Sequence, residues 1–186
     1  MTPDPEHQHL KRIEDEIFFV NYCIKANLEH LVRPIAPQTQ PAEKLVLVSG
    51  KLIIVVFEWA KGSALGFMEF RWMRDLKVVR AWGKFFAQMH KISRQFEKDH
   101  TEVAQRIQNW DKVHCGILEG TKLHPDDLAV INDPQHFGVI HGDLNCSNIH
   151  YFDEGDCLSV FDTDQVQRGF YLFDVAQAIV VMPMLE

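Results

Sequence analysis

The segment His141-Gly142-Asp143-Leu144-Asn145-Cys146-Ser147-Asn148 sets a carboxylate and, five positions on, a carboxamide between two apolar runs. A second polar group, Asp162-Thr163-Asp164, follows the apolar run that ends at Phe161. One Asp in such a loop can take a proton from a hydroxyl. An Asn with a second Asp can hold Mg2+, a hard cation that prefers oxygen ligands and substrate phosphates. Phosphoryl transfer divides its labour in this way. Each residue alone could equally cap a turn, but Asp143, Asn148 and Asp162 at these separations favour the chemical reading.

The elements that must position them follow from the apolar periodicity. Leu10, Ile13, Ile17, Val20, Ile24 and Leu28 recur every three or four residues and predict an amphipathic helix, with Glu14 and Glu16 on its flanks. Three prolines within residues 32 to 43 end it. Residues 44 to 59, KLVLVSGKLIIVVFEW, read as two strands joined at Ser49-Gly50, the second buried on both faces. A loop with two glycines follows. Residues 68 to 98 are helical in pattern, with Leu76, Val79, Trp82, Phe86 and Met89 on one face. An interior Gly costs about 1 kcal/mol against Ala, so Gly83 predicts a close packing contact or a helix break. The aromatic group Phe67, Phe70, Trp72, Trp82, Phe85 and Phe86 reads as core.

Short helices are predicted near 101 to 112 and 125 to 132, within a polar stretch interrupted by Pro125 and Pro134. NIHYF (148 to 152) and CLSVF (157 to 161) flank the turn DEGD and predict a second hairpin, and Leu172 to Leu185 reads as the start of a buried helix. The order is α+β, without regular βαβ alternation or internal repeats.

Composition narrows the class. The chain has 186 residues, 46% hydrophobic and 24% charged, which is globular composition. A net charge of −7 argues against a nucleic-acid polymer or an anionic membrane as partner, while leaving room for a local pocket that binds a phosphorylated small molecule. Cys23, Cys115, Cys146 and Cys157 are widely separated and form no CxxC pair, so reduced thiols and a cytoplasmic location are expected. The polar start and the lack of any long apolar run predict neither signal peptide nor membrane span. His7 and His9 lie in that polar start and read as solvated rather than metal-binding.

HGDLNCSN, with Asp162 one hairpin later, closely resembles the catalytic loop HGDLxxxN of the aminoglycoside phosphotransferase and choline kinase group of small-molecule kinases. GFYLFDVAQAI is similar to that family's segment ending in D-[LIV]-A, with Asp174 as its Asp. VVFEWAKGSAL is similar to its strand, hinge and Gly pattern, and AWGKFFAQMHKI to its helix ending in L-H or M-H. Together these matches span most of residues 10 to 182.

The resemblance implies a protein-kinase-like α+β fold, with residues 1–60 as a partial nucleotide lobe and 61–186 as a partial second lobe. The catalytic loop would be 139–150 and the metal-binding segment 160–164. It implies ATP and Mg2+ as cofactors and a hydroxyl of a small molecule as acceptor. Asp143 would act as base or orient the hydroxyl, Asn148 and Asp162 would bind Mg2+, and the backbone of Glu58 and Ala60 would face the adenine. Glu16, ahead of Glu14, would pair with a strand Lys that grips the phosphates. Asp164 would lie near the metal or cap a turn, and His141 and Asp174 would hold the loop in shape. His90 reads as a packing residue at a helix end.

The family's nucleotide lobe opens with strands carrying a phosphate-covering loop and the pairing Lys, whereas this chain opens at the helix that should follow them. Lys11 shares a helical stretch with Glu16 and cannot be that strand Lys. The region after Asp174 is also short. The expectation is therefore a kinase truncated at both ends and of reduced activity. The alternative is a catalytically silent kinase-like module that binds nucleotide or a partner. A metal-dependent phosphoesterase, suggested by the GD of HGDLN, lacks further His motifs such as GNH. Nothing in the sequence identifies the acceptor or an oligomeric state.

Overall fold

The first apolar stripe folds as helix α1 (Leu10–Lys25) in the computed structural model, which describes residues 2–3, 9–66, 71–110, 133–152 and 157–180. The helix stops three residues before the predicted end because Asn27 takes a left-handed φ of 61°. Asn27 N–H then donates to Ile24 O and Leu28 N–H to Cys23 O, the paired bonds of a Schellman cap. Leu28 is still buried, beyond the cap rather than on the helix.

The predicted first hairpin is β3 (Val46–Ser49) with β4 (Leu52–Phe57), in register from Val46 opposite Val55 to Ser49 opposite Leu52. Its two-residue turn is Gly50-Lys51, one position later than expected, with Gly50 at φ +60°. Two short strands, β1 (Thr2–Pro3) and β2 (Pro34–Ile35), also pair with β4. The expectation that β4 is buried on both faces is corrected: only Ile53 is buried, and Val56 is 48% exposed. The reason is tertiary, since Ile53, Val55 and Phe57 line an open cavity instead of meeting a second layer of core.

The predicted long helix divides into α2 (Arg71–Arg74) and α3 (Leu76–Asp99). Asp75 makes the division, because its side chain accepts from Lys77 N–H at 2.9 Å and caps α3. Neither alternative for Gly83 holds: α3 runs straight through it, and a Cβ built there meets nothing within 4 Å. Helix α4 (Thr101–Arg106) is shorter than predicted and ends where Ile107 turns to an extended backbone.

The second predicted hairpin is β7 (Ile149–Phe152) with β8 (Cys157–Val160), joined on its outer side by β5 (Ser63–Ala64). Gly62 permits that approach: at φ +86° its Cβ would lie 2.6 Å from Tyr151 O. A pair the sequence reading missed, β6 (Phe137–Ile140) with β9 (Gln167–Phe170), flanks the polar segments on both sides. Helix α5 (Tyr171–Val180) follows. It is not the buried helix predicted, since Leu172 is 74% and Ile179 53% exposed.

One apolar core takes residues from both sides of residue 60, including Phe19, Val20, Trp82, Phe96, Leu144 and Val160. Burying each such large side chain contributes roughly 1.5–3 kcal/mol. Helix α1 is fastened to the later helices by polar bonds as well. Arg106 donates to both carboxylate oxygens of Asp15 at 2.8 and 2.9 Å, and Tyr22 Oη donates to Asp99 at 2.6 Å. The β-sheet side is tied to the second hairpin through Val32 N–H to Val160 O and Val160 N–H to His30 O, both 2.8 Å. No helix among the described residues is long and apolar enough to cross a membrane, and Cys23 and Cys146 are buried free thiols. His7, Cys115, Phe67, Phe70, the DEGD turn and the helix predicted near 125 to 132 lie outside the described residues.

Candidate functional site

Strand β6 delivers the chain to His141, which is wholly buried. Beneath the loop, Asp174 is also wholly buried and accepts three hydrogen bonds: His141 N–H at 3.2 Å, Gly142 N–H at 2.9 Å and His90 Nε2 at 2.9 Å. A buried carboxylate needs such partners to be tolerated. His90 therefore lies inside α3, not at a helix end, and its ring also stacks on Tyr171 with centroids 4.5 Å apart.

Burial pushes the His141 imidazole below its ordinary value, against the opposing charges of Asp174 and Asp143. The ring makes the two bonds of a neutral imidazole, with Nε2–H donating to Phe161 O at 3.2 Å and Nδ1 accepting Asp143 N–H at 3.4 Å. Gly142 has no substitute, because at φ +83° a Cβ would meet Gln165 O at 2.2 Å. The loop at Gly142 and the turn after Asp162 are therefore in close contact.

Two carboxamides hold the Asp143 side chain. Asn145 Nδ2 donates to Oδ1 at 2.9 Å and Asn148 Nδ2 to Oδ2 at 3.0 Å, while Asn148 Nδ2 also reaches Asp143 O at 2.7 Å. Asn145 Oδ1 caps the 3₁₀ turn Cys146–Asn148 through Ser147 N–H at 2.9 Å. With Nδ2 turned to Asp143, Asn148 Oδ1 is left with the Ser147 hydroxyl at 3.4 Å.

Phe161 N–H donates to Asn148 O at 3.1 Å, which brings Asp162 beside the loop. Asp162 has a left-handed backbone, φ 62° and ψ 61°, a conformation that costs a non-glycine residue on the order of 1 kcal/mol or more. Its carboxyl is pushed up, first by burial and then by the charges of Asp164 and Asp143. Three carboxylates thus converge at one end of a cavity of about 680 Å³. Glu16, Asp162 and Asp164 line that end, and Glu58, Trp59 and Ala60 line another part of the wall. Glu58 N–H is already bonded to Arg33 O at 2.8 Å.

Glu16 is 5% exposed, and burial raises its carboxyl to about 7 despite the bond from Arg12. Its cationic partner is that Arg12, one turn earlier on α1, with Nε donating to Oε1 at 2.6 Å. Arg12 Nη2 continues to Asp164 O at 3.1 Å. Glu14 faces a different hollow, between α1 and β3. Arg12, His90 and His150 were not among the predicted site residues. Arg12 carried one available signal, a spacing of four from Glu16 on a predicted helix.

With this geometry in view, the chain belongs to the phosphotransferase enzyme family (APH), whose profile matches residues 29–184. Among solved structures, it is similar to an amicoumacin kinase, hAmiN, in complex with AMP-PNP, Ca2+ and Ami: 18% identity, TM-score 0.69, covering 95% of this chain and 55% of that one. It is also similar to a spectinomycin phosphotransferase, APH(9)-Ia, in complex with ADP and spectinomycin: 14% identity, TM-score 0.53, covering 91% of this chain and 56% of that one. The chain thus spans about half the length of these structures and shares their protein-kinase-like fold. Comparison with curated proteins returned no match.

Proposed function

We propose that this chain carries the nucleotide and phosphoryl-transfer site of a small-molecule kinase that uses ATP and Mg2+. The observation that supports it most is that Asn148 holds the Asp143 carboxylate close to Asp162, which lines one cavity together with Glu58, Trp59 and Ala60. Residues 1–60 and 61–186 are read as the two partial lobes on either side of it.

In this reading Asp143, its carboxylate fixed by Asn145 and Asn148, orients the acceptor hydroxyl and takes its proton. Asn148 Oδ1 and the Asp162 carboxylate hold Mg2+, an oxygen-only set that suits a hard cation. No group of three or more His, Cys, Asp or Glu among the described residues is arranged to hold a metal ion by itself, so a small set completed by phosphate and water fits what is present. The bound ion would supply charge neutralisation at the transferring phosphate. The main chain at Glu58 and Ala60 faces the adenine. Glu16, Asp162 and Asp164 would repel a polyphosphate, and Arg12 is the cation paired among them.

A nucleotide-binding module without turnover is the second reading, favoured by the Glu16 carboxylate being held by Arg12 of its own helix. Isothermal titration with ATP, with and without Mg2+, should be run beside ADP production over a panel of hydroxylated small molecules. Acceptor-dependent ADP release that vanishes in Asp143→Asn supports the kinase. Mg2+-dependent binding without any release supports the silent module, and no nucleotide binding rejects both.

A further inference from the structure

Strand β7 alternates. Ile149 and Tyr151 point into the core and are buried, while His150 between them is half-buried and lines the cavity. The surrounding wall there is apolar, with Ile53, Val55 and Phe57 from β4 and Phe161, whose ring meets the His150 ring edge-on at 4.9 Å and 76°. Apolar walls hold a planar base but do not read its edge.

His150 Nδ1 is buried and has no hydrogen-bond partner among the described residues. An orphaned buried N–H is costlier than an orphaned lone pair, which leaves the proton on Nε2. The one polar hydrogen of the ring is then unused among the described residues, on a side chain that faces the cavity. We propose that His150 reads the nucleobase: its Nε2–H donates a hydrogen bond to an acceptor nitrogen of the purine seated between β4 and β7. This rests on the nucleotide reading of the cavity and adds a specificity-determining residue to it.

The test uses the whole chain with Mg2+ and measures dissociation constants for ATP and for 1-deaza-, 3-deaza- and 7-deaza-ATP, in wild type and in His150→Phe. His150→Phe keeps an aromatic ring and removes the donor. His150→Leu is carried alongside, and thermal unfolding shows which variants are folded. Wild type should bind one analogue roughly fivefold more weakly than ATP, the size of one net hydrogen bond. His150→Phe should bind ATP itself about fivefold more weakly and show no further loss with that analogue. If every analogue deficit of the wild type persists unchanged in the folded variants, or if all three analogues bind the wild type like ATP, the inference is overturned while the nucleotide reading stands. If the wild type binds no nucleotide, the underlying reading falls and this inference with it.

Discussion

Asn148 Nδ2 donates to both the main-chain carbonyl and the carboxylate of Asp143, at 2.7 and 3.0 Å. The proposed metal ligand and the proposed base are therefore one mechanical unit, in which the carboxamide orients the carboxylate with its nitrogen and keeps its oxygen for a ligand. Replacing Asn148 by Ala removes a hydrogen bond to a charged group, worth about 1.5–3 kcal/mol, together with one metal oxygen. Acceptor-dependent turnover should fall at least about tenfold, and the Mg2+ concentration for half-maximal rate should rise. An unchanged Mg2+ dependence would dissociate Asn148 from metal binding.

Glycines 142 and 83 should respond in opposite directions to alanine. Gly142→Ala forces a Cβ to 2.2 Å from Gln165 O at a left-handed backbone, so a loss of about 2 kcal/mol or more is expected. Gly83→Ala adds a methyl to a helix interior with no atom within 4 Å, and a gain of about 0.5–1 kcal/mol is expected. Urea unfolding of the two variants gives both signs in one experiment.

Glu16 sets a pH dependence. Its carboxyl is raised by burial from 4.5 to about 7, so between those values the folded chain keeps a proton that the unfolded chain has lost. This contribution to stability is fully present below about pH 4.5 and is lost as pH rises through about 7. Glu16→Gln is neutral throughout and should gain on the wild type by about 3 kcal/mol at most between pH 5 and pH 8. Denaturant midpoints measured at the two pH values check the sign. A wild type that loses no more than the variant would place the Glu16 carboxyl in ordinary solvent.

Asp174 holds up the loop at His141 and Gly142 from beneath. Asp174→Ala strands His141 N–H, Gly142 N–H and His90 Nε2 in the interior, and a loss of about 3 kcal/mol or more is expected. His90→Phe removes one donor of the three and should cost about 1.5–3 kcal/mol. The amide hydrogens of His141 and Gly142 report the difference: their exchange should quicken more in Asp174→Ala than in His90→Phe.

The two hairpins and helices α1 and α3 were legible because each is local, with a period of two or four and turn residues at its ends. Capping moved the boundaries, at Asn27 and at Asp75, where one side chain or one backbone angle outweighs periodicity. The β6–β9 pair was not legible, since FGVI and QRGF carry no strong alternation and pair only across the intervening hairpin. Nor could burial be read for β4 and α5, where only part of each apolar run meets the core and the rest meets a cavity or an open face.

By itself, the sequence determined the two hairpins, the main helices and the family, because periodicity and a short motif with a carboxylate, a carboxamide and a second carboxylate at set spacing are local properties of the chain. Which groups face one another was decided only by the tertiary structure. Arg106 is partner to Asp15, His90 to Asp174, and His150 turns to the cavity, because strand pairing and helix packing bring distant residues within hydrogen-bond reach and burial then charges each unpaired polar atom its full desolvation cost.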